Sequence, residues 1–519
     1  MTGFFRSVAG LSRFFGRTHC RARGLAEGSA LVAITLIVLL ALVLAQPGKR
    51  GDTDFNNDGI TDSRDAMMFD HVISGGEWET CDSIDFNRDD VFPSDADTQE
   101  FYAALLGTHE TDPVRLGAGE NGFTPVILQR GGFEAFVAPP PTGDDANPGT
   151  REKPKASIAG VMKGWREPRH GVIYYMEGTY EYAIRGQYEQ IPFGGISREL
   201  PLTLAADPQA RERPLIRVPE NESFALRIAD SSHVRVQGLA FDCVENQQAV
   251  IDIAGTVDDI LIEDCLMKGG SVGVRVQGLD QRVGTVTVRR NIIEGQRNVE
   301  SHSQGVYVSN AQRVTIEDNV FWSNGSRDTF CQGMYLVHDS LSERVVRRNW
   351  IGDPGFAGVQ ARGGTYEVHH NVFDRCGNAL GIGHPMGVGH DANGEFYENV
   401  ILNPKAPGWG IALQNMNQTV VRDNMLFAPE GVGYMFIREN PSVGGDVRNN
   451  RGYGFEKFLE ISNPAATSEK FADNGNVLFR AVEIPKVPWN VLRARAMRQW
   501  GYDHDAYKFV QAVQRVNPW

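Results

Sequence analysis

The chain has 519 residues, 51 Lys and Arg against 65 Asp and Glu, and a formal net charge of −14. Its length is ample for a large core, and its acidic balance excludes the basic footprint of a nucleic-acid binder. Six Cys in so long a chain exclude a disulfide-built scaffold, and 57 Gly point to many short strands joined by turns.

In chain order the first element is an export signal or an anchor. Five Arg (Arg6, Arg13, Arg17, Arg21, Arg23) precede the uncharged apolar run 30–45. Basic residues before such a run direct it into a membrane and the rest of the chain out of the cytoplasm. Residues 1–46 are therefore read as a signal peptide, or as a signal anchor if uncleaved. After cleavage five Cys remain (Cys81, Cys243, Cys265, Cys331, Cys376), an odd number, so a monomer keeps one unpaired.

Next comes the source of the charge. Residues 51–110 hold 16 acidic and 2 basic side chains, a local net of −14 that equals the imbalance of the whole chain. Within them, Asp54, Asn56, Asp58, Asp62 and Asp65 occupy loop positions 1, 3, 5, 9 and 12, with Gly59 at the sharp turn. A hard cation such as Ca²⁺ takes six to eight oxygens, and this spacing wraps them around one point. A second copy runs from Asp85 to Asp97, with Asp90 in place of the glycine and the last carboxylate one position late. The pair resembles the dockerin family of duplicated calcium-loop modules. That resemblance implies Ca²⁺ on Asp54, Asn56, Asp58, the Ile60 carbonyl and Asp65, and on Asp85, Asn87, Asp89, the Val91 carbonyl and Asp97. It also implies a cohesin-like protein partner for residues 51–107.

Residues 111–135 read as a linker and 136–480 as one domain, within which the chain repeats itself from Val234 to about Phe455. With Leu239, Cys265, Asn291, Asn319, Asn349, Asn371, Asn399, Asn424 and Asn450 as anchors, the gaps run from 22 to 30 residues. Each repeat carries two short alternating stretches, and no single repeat buries its own apolar face, whereas stacked coils do. Asn at one corner is expected to take the left-handed conformation of a tight bend and to stack its amide from coil to coil. The fold class read from this is all-β: a right-handed parallel β-helix with helical end caps, preceded by the small α-helical EF-hand-like module. Residues 142–180 resemble the opening of secreted bacterial β-helix proteins of the pectate lyase-like superfamily, with a covering helix expected over 156–165. Residues 481–519 are expected to form a C-terminal helical cap.

Outward positions sort into two kinds. Before each anchor, Glu263, Arg289, Glu317, Arg347, His369, Tyr397 and Arg422 lie beside Asp264, Arg290, Asp318, Arg348, His370, Glu398 and Asp423. Coils about 4.8 Å apart make these a charge-paired wall. The second line is different, presenting Arg275, Tyr307, Tyr335, Gln360, Gly381 and Ala412, then Gln277, Ser309, Arg362, Gly383 and Gln414. Its turns add Asn310, His338, Asp339, His384, His390, Asp391 and Asn415. Aromatic, amide and cationic groups without alternation suit a sugar-binding groove.

Eliminative cleavage of a uronate chain needs a cation for the carboxylate, a base for the C5 proton and a donor for the leaving oxygen. Arg362 is the expected cation, His338 or His384 the base, and Tyr335 the donor, with the loop 383–393 closing over them. Paired carboxylates for hydrolysis are scarce on this line, where Asp339, Asp391 and Glu439 are the candidates. The motif sets of pectin hydrolases and pectate lyases are missing, so the resemblance reaches the fold and not a named activity. The expected function is an exported protein that binds and cleaves an acidic polysaccharide as a lyase. The alternative is a non-catalytic surface binding or adhesive module with the calcium pair as its docking handle.

Overall fold

The structure is a computed structural model that describes residues 126, 128–181, 189–218, 224–243, 249–278, 283–298, 302–326, 331–337, 342–383, 392–402, 404–405, 408–414, 416–428, 433–438, 445–461 and 475–479. The apolar run 30–45, the acidic loops expected to bind Ca²⁺ and the segment 481–519 lie outside them. No helix among the described residues is long and apolar enough to cross a membrane.

Within the described residues, strands run from Phe133–Val137 to Val477–Phe479 in three parallel sheets of 12, 12 and 11 strands. A coil from the middle shows the path. Val234–Gln237 lies in the first sheet, Ala240–Cys243 in the second and Ala249–Ala254 in the third. Ile260–Glu263 then pairs in parallel with Val234–Gln237, one coil on. The solenoid extends three first-sheet strands before the repeat read from sequence: Phe133–Val137, Gly171–Tyr175 and Leu202–Ala206.

Alternation builds the core. In Val283–Arg289, Val286 and Val288 are fully buried, while Thr287 between them faces outward and is half-buried. Val, Ile, Leu and Phe from all three sheets form one continuous core cluster. Four Cys join it or its edge, and all four are free thiols. Burial pushes Cys243 and Cys265 up to about 12, which suits packing rather than reactivity.

The third sheet adds a column of glycines: Gly273, Gly305, Gly333, Gly358 and Gly410. A Cβ on Gly305 would lie 2.5 Å from the Phe321 ring and 2.7 Å from the Gly333 carbonyl oxygen. These glycines lead the strands of the second line because the neighbouring coil occupies the space of a side chain.

The anchor asparagines are buried and stacked as expected, but they are not the left-handed residues. Positive φ falls one position earlier, at Asp264, Arg290, Asp318, Arg348, His370, Glu398, Asp423 and Asn449. The first residue of each two-residue turn thus carries the bend and points its side chain outward. The Asn that follows turns its amide inward: Asn319 Nδ2 lies 3.0 Å from Asn349 Oδ1, and Asn349 Nδ2 lies 3.0 Å from Asn371 Oδ1. The ladder runs from Asn291 through Asn450 and ends on Asn476, which the sequence reading omitted.

Of the helix expected over 156–165, only Ile158–Met162 is helical. Ser157 caps it, its hydroxyl accepting from Gly160 N. Gly164 follows at φ +84, a conformation that ends a right-handed helix. Ile158 and Met162 enter the core cluster, and Val161 and Trp165 pack against it.

Candidate functional site

The wall before the Asn turns is charge-paired. Arg289 Nε lies 2.8 Å from Glu263, Arg347 Nη2 2.6 Å from Glu317, and Arg348 Nε 2.7 Å from Asp318. Further along, Arg422 sits 2.9 Å from Glu395 and 3.0 Å from Asp423. His369 and His370 belong to this wall, as expected. Their Nδ1 atoms are 2.7 Å apart, His370 Nε2 reaches Glu398 at 2.9 Å, and His369 stacks on Tyr397 with ring centroids 4.8 Å apart.

Burial, then the charges of His370, Arg347, Arg348 and Arg422, hold His369 at about 3, below its ordinary value. The unfolded chain takes up this proton near pH 6.5, whereas the folded chain resists it until about pH 3. Stability is therefore lost as pH falls through that window. A His369→Phe variant, which keeps the stack on Tyr397, is expected to flatten the loss. Urea unfolding midpoints at about pH 7 and about pH 4.5 measure it, and an unchanged pH dependence would remove His369 from the account.

The outer face of the third sheet carries the second line. Arg275, Tyr307, Tyr335, Gln360, Gly381 and Ala412 are successive register partners, so the sequence placed one column correctly. Much of that column is engaged with itself. Arg275 Nε lies 2.7 Å from Asp252, and Arg227 Nε lies 3.4 Å from the same carboxylate. Asp252 is almost fully buried, and both guanidinium groups lie over the Phe224 ring, at 5.0 and 5.3 Å from its centroid. Gln360 lies over Gly381, and its amide donates to Gly383 O at 2.8 Å and Gln414 Oε1 at 3.1 Å. Arg275, Gln360 and Gln414 thus hold the sheet together and are poor candidates for sugar contact.

The middle of the column is otherwise. Tyr335 stands on the strand Cys331–Leu336, and Arg362 directly follows the strand Ala357–Ala361 one coil on. Arg362 N donates to Leu336 O at 2.8 Å, which fixes it beside Tyr335. Its Nη1 donates to the Tyr335 hydroxyl, with Cζ 5.4 Å from the Tyr335 ring centroid. Tyr307 lies on one side with ring centroids 5.9 Å apart, and His302 stacks at 6.4 Å. Burial pushes the Arg362 guanidinium down, while Tyr307 and Tyr366 push it up. Among the described residues no carboxylate pairs with it.

The structure therefore brings together two of the four predicted catalytic residues, Tyr335 and Arg362. His338 and His384 lie outside the described residues, as do Asp339, His390, Asp391 and Glu439. His302, Phe224 and Asp252 were missed by sequence reasoning. His302 stands just before the strand Ser303–Ser309, and nothing in its local pattern sets it beside Tyr335. Among the described residues no group of three or more His, Cys, Asp and Glu is placed to hold a metal ion.

Comparison with known proteins bears on the fold. A family model described as a right handed beta helix region matches residues 224–384. The architecture is an all-β, right-handed parallel β-helix. No curated protein matches the sequence. Similar solved structures include a GH136 lacto-N-biosidase from Eubacterium ramulus, with TM-score 0.48, 13% identity, and 67% of this chain and 68% of that one covered. A rhamnogalacturonan lyase gives TM-score 0.36 at 13% identity over 67% and 84% of the two chains. A surface adhesin of Streptococcus pneumoniae gives 0.39 at 13% over 56% and 85%. The likeness to all three is one of fold alone.

Proposed function

We propose that the protein is exported, binds an acidic polysaccharide across the outer face of its third sheet, and cleaves it by β-elimination. One observation carries this reading: the Arg362–Tyr335 pair, a half-buried cation donating to a phenol with no carboxylate partner among the described residues. A guanidinium so placed is left to take up a uronate carboxylate, which makes the neighbouring C5 proton more acidic. The Tyr335 oxygen already accepts from Arg362, so its own hydrogen is directed elsewhere, and the leaving O4 is the group that needs it. His338 or His384 would abstract the C5 proton. The flanking rings of Tyr307 and His302 offer flat surfaces for neighbouring sugars.

The acidic loops belong to the same proposal. Residues 51–107 would bind Ca²⁺ through Asp54, Asn56, Asp58, Ile60, Asp65, Asp85, Asn87, Asp89, Val91 and Asp97, and would serve as a handle for a cohesin-like partner. The test of the activity is the ultraviolet absorbance of unsaturated products on alginate, pectin and glycosaminoglycans. Product on any one of these substrates is expected. Binding with no product on any of them would replace the lyase by a non-catalytic, glycan-binding surface module.

A further inference from the structure

The outer face of the third sheet holds one more cation than its buried carboxylate needs. The Asp252 side chain is 1% exposed, and Arg275 Nε donates to its Oδ1 at 2.7 Å, a charge-assisted bond that neutralises it. Arg227 stands on the other side, its Nε 3.4 Å from Oδ2 and without a hydrogen bond. The Arg227 side chain is nonetheless 34% exposed, against 19% for Arg275. Nε is its buried end, and the Nη fork lies at the surface with no hydrogen bond to any described residue. The Phe224 ring, 5.3 Å from Cζ, holds that fork against the sheet.

Position ties Arg227 to the Tyr335 site. Arg227, Asp252, Arg275, Tyr307 and Tyr335 are successive register partners, so Tyr335 lies four coils on, about 19 Å along the axis. Phe224, Ala249 and Val272 form a small apolar cluster apart from the main core, and Tyr307 packs against it, so the surface between is continuous. In the described column from Gln190 to Gly381 the one carboxylate is the buried Asp252. No exposed acid in that column repels an anionic chain.

We propose that Arg227 binds the carboxylate of a second uronate of the same glycan, four units from the one held at Arg362. This subsite presupposes the acidic-polysaccharide face proposed for Tyr335 and Arg362, and gives it direction and reach. The glycan lies along the solenoid axis toward the early coils. A 1,4-linked pyranose advances about as far as one coil, so about five units bridge the two arginines. In a two-fold chain alternate units turn the same edge to the sheet, and the fourth unit on offers its carboxylate to the face that the first one meets. The planar guanidinium fork suits that carboxylate in two parallel bonds.

The test is calorimetric titration of the full chain carrying Tyr335→Phe, which keeps the oligosaccharides intact, with trimers and hexamers of galacturonate and of mannuronate. A hexamer reaches Arg227 from Arg362 and a trimer does not. Arg227→Gln is expected to weaken hexamer binding by roughly tenfold, the scale of one hydrogen-bonded charge, and to leave trimer binding as it was. Equal hexamer affinity in the two chains would overturn the proposal. So would equal weakening of trimer and hexamer, the mark of a general disturbance around Asp252, or a parent that binds neither hexamer. Absence of unsaturated product in the absorbance screen removes the lyase and leaves this subsite standing, because binding is read without turnover. If Arg227→Gln does not fold, Arg227→Lys keeps a charge beside Asp252 but not the fork, and is read with the same outcomes.

Discussion

Tyr335→Phe is expected to lower kcat on the cleaved glycan by roughly 10²- to 10⁴-fold while leaving KM nearly unchanged, the usual scale for losing a positioned general acid. Phenylalanine keeps the ring that stacks on His302 and meets Tyr307 at a tilt, and removes only the hydroxyl that Arg362 meets. Arg362→Gln is expected to act differently. It removes the charge that holds the substrate carboxylate in ground state and transition state alike, so KM rises and kcat falls together. The loss in kcat/KM is expected at roughly 10³-fold, equivalent to about 4 kcal/mol. Arg362→Lys is not a rescue, because the ammonium lacks the planar fork that serves a carboxylate and the Tyr335 oxygen at once. Steady-state rates on the substrate found in the absorbance screen decide the matter, with circular dichroism confirming the fold. A Tyr335→Phe enzyme that keeps most of its kcat would remove the phenol from the reaction.

The coiled architecture was legible because each repeat solves the same packing problem with the same residues. An Asn at each anchor from 291 to 450 and a Gly near the start of five of the eleven third-sheet strands mark where a coil turns or presses on its neighbour. The first three first-sheet strands lack the Asn anchor, and without it their short apolar runs carry no phase. The left-handed position was misplaced by one residue for a physical reason. Arg348, His370 or Glu398 does not advertise positive φ, whereas the Asn beside it does. What fixes these bends is the inward amide, which holds the following residue and leaves its predecessor to take the strain.

The site was half legible. Outward phase follows from alternation, so Tyr335 and Arg362 were found. Pairing between coils depends on register, which insertions of varying length conceal. Asp252 sits in the apolar run Ala249–Ala254 and reads as core until the register sets it between Arg227 and Arg275. Gln360 reads as a sugar ligand until Gly381 beneath it leaves room for it to fold onto its own sheet. The second-sheet runs Val320–Trp322, Trp350–Gly352 and Val400–Leu402 are apolar on both faces, the pattern of strands covered on both sides. That signal was present in the sequence and was absorbed into the Asn anchor beside it.

Asn349→Ala is expected to destabilise the solenoid by about 3–5 kcal/mol, at about 1–3 kcal/mol for each buried polar group left without a partner. Its Nδ2 lies 2.8 Å from Ile316 O and 3.0 Å from Arg347 O, and its Oδ1 accepts from Asn319 N at 3.0 Å. All of these surround a fully buried side chain to which water has no access. Asn349→Asp keeps the shape and is expected to be worse at neutral pH, because a carboxylate oxygen then faces two carbonyls and the Asn371 Oδ1 where the amide donated.

Glycine separates the two physical accounts of the corner. If Asn349 served the bend, Asn349→Gly would be tolerated. Because the bend sits at Arg348, with φ +53, Asn349→Gly is expected to cost as much as Ala. Arg348→Gly instead relieves a left-handed residue of about 1 kcal/mol or more while taking from the buried Asp318 a bidentate partner, at a cost of about 3–5 kcal/mol. It should destabilise by about 2–4 kcal/mol, through the lost ion pair and not through the bend. Urea midpoints for the four variants, with slopes compared because a solenoid need not unfold as one unit, read the order directly. A tolerated Asn349→Gly would return the asparagine to the bend and reduce the amide ladder to a by-product of stacking.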